Sequence, residues 1–160
     1  MRRAALLMTA AAMMLSTAAL AAQATSFAGK WTMVADPNAA AGGRGGRGGL
    51  GMSVSIDQDA KMLTMTRTTQ AGDTKTMYML DGSPSKNTMN FGGNSMEQTS
   101  TAKWDGAKLV IATTSQGQNG PTTTTMTLSL DASGNMLVAQ TRPGRNGGDP
   151  TTTTSTYKKG

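Results

Sequence analysis

Thr-Met-Thr-Leu-Ser-Leu-Asp-Ala-Ser-Gly-Asn-Met-Leu-Val-Ala, residues 125–139, contains the rule that decides the fold. Met126, Leu128 and Leu130 alternate with Thr125, Thr127 and Ser129. A period of two puts one set on each face of a strand. Asp131-Ala-Ser-Gly134 is then an Asp-led turn, and Leu137 and Ala139 carry the pattern into a second strand. A short turn between two alternating runs is an antiparallel hairpin.

The same grammar extends in both directions. Phe27, Gly29, Trp31 and Met33 share a face of a first strand; Leu50, Met52, Val54 and Ile56 alternate with Gly and Ser. Leu63 and Met65, then Tyr78 and Leu80, then a weaker run near Met89 and Phe91, continue the series. Ala102 with Trp104, Leu109 with Ile111, and Tyr157 in a last Thr-rich run complete it. Threonine, β-branched yet polar, suits the solvent face of such strands. No window of useful length has helical spacing. Asp57-Gln-Asp-Ala60, Asp81-Gly82 and Asp105-Gly106-Ala107 supply further Asp-led turns. Ser55–Leu63 echoes Ser129–Leu137, which reads as reuse of one turn solution. The expectation is an all-β, antiparallel up-and-down meander of 8–10 strands, closed into a barrel or a flattened sandwich.

The N-terminus bears on compartment. Met1-Arg2-Arg3 is a cationic start, Ala4–Leu20 an Ala-, Leu- and Met-rich run, and Ala22-Gln23-Ala24 a small-x-small cleavage site. Residues 1–24 read as a signal peptide, so the protein is expected to be exported, periplasmic or secreted, with no transmembrane segment once the leader is gone. Residues 25–160 form a single domain. The leader takes two of the fifteen basic residues with it, leaving thirteen against nine acidic ones. That is mild for a nucleic-acid binder. With no cysteine, the chain has neither disulfides nor a lipidated Cys.

Catalysis and metal binding are poorly supplied. There is no His and no Cys, and Glu97 is the one glutamate. The aspartates sit mostly in turns, where turn geometry explains them. Ser83-Pro-Ser-Lys86 has the spacing of serine acyl-transferases but falls in a hairpin loop. Asp57-x-Asp59 lacks the other oxygen ligands of a calcium loop. Met62 and Met65 point to opposite faces of one strand and do not chelate together; Met77 and Met79 share the face opposite Tyr78 and Leu80. The expectation is a non-enzyme with no cofactor and no metal.

Residues 41–51, AGGRGGRGGLG, look like an RNA-binding RGG segment, but residues 41–49 lie in one connection (37–49) of an exported β-domain, where they read first as a solvated surface loop and second as part of a basic rim. In a meander alternate connections share an end. The connections 37–49, 69–73, 92–95, 115–120 and 142–149 therefore meet at one end, provided that the short strand near Met89 and Phe91 exists. Arg44 and Arg47 then face Arg142 and Arg145 across one basic rim, suited to anionic groups rather than nucleic acid.

One tight end and one loose end resemble the lipocalin and calycin barrels. Gly29-Lys30-Trp31 resembles their G-x-W signature, and Tyr78–Gly82, Lys103–Gly106 and Leu109–Ile111 resemble stretches of small exported bacterial lipocalin-like proteins. The resemblance implies that Trp31 packs across a closed barrel end beneath a cation, either Arg142 or a replacement at Lys158. It implies a binding barrel for a small apolar ligand, and the basic rim extends this to an anionic amphiphilic one. The alternative is a structural or envelope-interaction domain with a filled interior and no ligand.

Overall fold

In ten runs of this chain, alternating side chains find opposite environments, and each run is a strand. The structure, a computed structural model, describes residues 25–34, 49–69, 72–91, 94–117, 120–144 and 147–160. The predicted leader, Arg44, Arg47 and Arg145 lie outside the described residues. The strands are β1 (Gly29–Met33), β2 (Ser53–Gln58), β3 (Met62–Thr69), β4 (Gly72–Met79), β5 (Ser85–Phe91), β6 (Asn94–Asp105), β7 (Lys108–Gly117), β8 (Gly120–Leu130), β9 (Met136–Arg142) and β10 (Thr151–Lys159). Each consecutive pair from β1 to β4 and from β5 to β10 is antiparallel, and β1 also pairs with β10. The result is one all-β meander in a nearly closed barrel. Among the described residues no helix is long and apolar enough to cross a membrane.

The weak strand near Met89 is real, so the connections segregate as expected. β1–β2, β3–β4, β5–β6, β7–β8 and β9–β10 join at one end, the glycine-rich end. The other end holds the Asp-led turns. Asp59 accepts from the Lys61 and Met62 amides, and Asp131 from the Ser133 and Asn135 amides. Asp81 accepts from the Ser83 amide and hydroxyl. Gly82, Gly106 and Gly134 adopt φ of 85°, 59° and 78°, values that disfavour a side chain.

Three connections at the glycine-rich end are tighter than the sequence suggests. Thr69 pairs with Gly72, Phe91 with Asn94, and Gly117 with Gly120. The strands run on through residues polar on both faces, where no apolar alternation marks them. Hydroxyl pairs at matched register connect these stretches: Ser100 with Thr113, Thr114 with Thr123, and Thr141 with Thr152, each at 2.8 Å.

The core contains Phe27, Trp31, Ile56, Leu63, Met65 and Leu109, all buried, with Ile111, Leu128 and Tyr157 beside them. Four side chains depart from expectation. Met52 is 64% exposed, because Gly51 at φ 87° breaks the alternation between Leu50 and Val54. On β9 the inward face is Met136 and Val138, not Leu137 and Ala139. Four consecutive apolar residues leave that phase ambiguous, and pairing of Leu128 with Val138 decides it. Leu130 is also exposed at its strand end.

The turn aspartates have a pH signature. Hydrogen bonds to Asp131 from Asn135, to Asp81 from Ser83 and to Asp59 from the Lys61 and Met62 amides hold these carboxyls below their ordinary pKa of 3.8. Their stabilisation is present above 3.8 and is lost as pH falls through the lower folded values. Burial pushes the Tyr157 hydroxyl above its ordinary 10.0. Its stabilisation is present below 10.0 and is lost as pH rises through the higher folded value. Thermal melts should therefore give a Tm that is flat from about pH 5 to about pH 9 and falls at both extremes. A Tm that changes steadily across neutrality contradicts this assignment.

Candidate functional site

The barrel is sealed at its aspartate-turn end and hollow towards the other. The seal is built by residues 25–28, which precede β1. The Phe27 ring stacks on Trp104, centroids 6.1 Å apart and planes 10° from parallel. Gln58 holds this segment from both sides, accepting from the Phe27 amide (2.8 Å) and donating to the Thr25 carbonyl (3.0 Å). Trp31 donates its indole N–H to the Phe27 carbonyl (2.8 Å). The cation above Trp31 is neither Arg142 nor Lys158. It is Lys159, with Nζ 5.6 Å from the ring centroid. Trp31 and Lys159 are direct cross-strand partners and so share a face, whereas Lys158 points the other way and Arg142 ends β9 at the opposite end of the barrel.

Above this filled half lies a cavity of about 560 Å³. Leu50, Tyr78, Met89 and Met126 give it an apolar side. Gln98, Thr113, Ser115, Thr124 and Gln140 give it a hydroxyl and amide side. These polar residues belong to the ends of β6 to β9 that approach the glycine-rich end, so strand register places them together. Thr113 is opposite Thr124, Ser115 is paired with Gln98, and Gln140 with Met126. Gly49 and Arg67 complete the wall with Arg142.

Gly49–Gly51, which lead into β2, are held against the barrel by one hydroxyl. Tyr157 Oη accepts from the Leu50 amide (2.9 Å) and donates to the Gly51 carbonyl (2.8 Å). A Cβ on residue 49 would lie 2.6 Å from that oxygen, so the close approach requires glycine.

Of the four predicted rim arginines, Arg142 alone falls among the described residues. It lines the cavity, is exposed, and donates from Nη2 to Gln140 Oε1 (3.1 Å). Trp31 is buried at the sealed base, and Gly29 has φ 134°. Met77 faces outward, 44% exposed, whereas Met65 is buried in the core.

Sequence reasoning missed Arg67. It is two residues beyond Met65 and four beyond Leu63, both fully buried, so it occupies the next inward position of β3. Its Nε is shielded from solvent and has no hydrogen-bond partner among the described residues. Thr76 Oγ1, on the inward face of neighbouring β4, is similarly buried without a partner. The strand phase could have found Arg67, had it been continued one step past the last apolar residue.

Comparison of the sequence with protein-family models and with curated proteins finds no match in either.

Proposed function

We propose that the protein is an exported, lipocalin-like barrel that binds a small ligand in the cavity at its glycine-rich end. The observation that carries this reading is the 560 Å³ hollow above a sealed base. Small-molecule sites typically span about 300–1,000 Å³. Trp31 under a cation at the base, and Gly49 and Leu50 lining the cavity at the end of the first connection, support the lipocalin-like comparison. The leader-like residues 1–24 support export. The reading is non-catalytic: the turn aspartates are engaged in capping, and the sequence offers no His or Cys as base or nucleophile.

Native mass spectrometry of protein isolated from its own host tests the reading. A population heavier than the bare chain by one small-molecule mass is expected. Bare protein alone, with no shift from amphiphilic or polar anions added afterwards, would favour the filled-interior envelope domain instead.

A further inference from the structure

Resting on the binding reading above, we infer that the cavity takes a hydroxylated carboxylate, an acid of one or two sugar rings, whose carboxylate meets Arg67. The charge comes first. Arg67 is partly buried on the interior face of β3, and no ion pair satisfies it among the described residues. A guanidinium withdrawn from water without a counter-charge is costly. Arg142 adds a second cation to the same wall, and none of the described lining residues is acidic. An anion offsets the Arg67 charge, and the planar fork of a guanidinium matches a carboxylate through two parallel hydrogen bonds.

The rest of the ligand follows from the wall. Two amides and three hydroxyls can each both donate and accept, as the hydroxyls of a sugar do. Tyr78, Met89 and Met126 offer apolar contact to the C–H faces of a sugar ring. An alkyl chain fits worse. With its carboxylate at Arg67 its tail has no apolar channel to enter, because Leu109, Ile111 and Leu128 fill the barrel below and are fully buried. The tail would lie instead against Thr113, Ser115 and Thr124, stripping water from hydroxyls without replacing their hydrogen bonds.

Isothermal titration calorimetry with galacturonate, galactose and dodecanoate tests this. Galacturonate should bind at least tenfold more tightly than galactose, and Arg67→Gln should abolish that advantage. Because Arg67 Nε has no hydrogen-bond partner among the described residues and its buried charge is uncompensated, Arg67→Gln should not lower the Tm. Thr124→Val, which leaves the charge untouched, should weaken both sugars alike. Equal affinity for galacturonate and galactose, or an unchanged galacturonate affinity in Arg67→Gln, overturns the inference. Binding of dodecanoate without galacturonate also overturns it but leaves the binding barrel standing. Binding of none of the three, together with a bare native mass spectrum, removes both.

Discussion

Asn87→Ala should open the barrel along one seam and cost about 2–4 kcal/mol of stability, the sum expected for two lost hydrogen bonds and two stranded main-chain groups. β4 and β5 are the two ends of the sheet order, and no backbone ladder joins them among the described residues. Side chains of β5 take over that task. Asn87 Oδ1 accepts from the Met77 amide (2.7 Å) and Nδ2 donates to the Met77 carbonyl (2.9 Å). The amide thus stands in for a peptide unit of a missing strand. Ser85 Oγ accepts from the Met79 amide (2.8 Å) one step further along. Both residues are buried, so water does not readily replace them. Asn87→Asp keeps the acceptor but sets a carboxylate against the Met77 carbonyl, and should be at least as harmful at neutral pH. Urea melts measure the loss, and hydrogen exchange at the Met77 and Met79 amides locates it. A melt within about 0.5 kcal/mol of wild type, with slow exchange retained at both amides, would show that the seam is held by something else.

Trp31→Ala should be the more damaging change, about 3–5 kcal/mol, as for other large-to-alanine substitutions in cores. Trp31 is 2% exposed, and its indole N–H anchors the Phe27 carbonyl. Its removal creates a void at the base and releases residues 25–28, which seal it. Small domains have about 5–15 kcal/mol in total, so this loss brings the protein near its unfolding threshold. Trp31→Phe retains most of the packing and should cost about 1–2 kcal/mol, chiefly the hydrogen bond. Trp104 is the one other tryptophan in the sequence and stacks on Phe27, so its fluorescence reports the base directly. An unchanged Trp104 emission and an unchanged melt in Trp31→Ala would refute the assignment of the base.

The sequence was readable wherever one face of a strand is apolar. Leu63 with Met65, Tyr78 with Leu80 and Leu109 with Ile111 all face inward as their alternation predicts. Readability failed in two opposite ways. On β9 both faces carry apolar residues, so only pairing with β8 fixes the phase. At the glycine-rich ends of β7 and β8 both faces are polar, so strands read as loops and the cavity wall they form went unseen. Arg67 was missed for the second reason: it follows Thr66 and precedes Thr68, where composition has turned polar. The cation over Trp31 depends on register, which puts Lys159 opposite it, and no local pattern in the sequence states that register.

The change from apolar to polar lining along the barrel axis divides labour between its halves. Most of the fully buried apolar side chains lie below Met126, and the polar cavity wall lies at or above it, with the Asn87 seam at its level. Cavity-facing side chains that hold neither the seam nor the close approach at Gly49 can therefore vary in chemistry with little loss of stability. On the proposed binding reading, such a barrel is a scaffold whose selectivity can be re-engineered by exchanging a handful of side chains on β3, β6, β7 and β8 while the base is left alone.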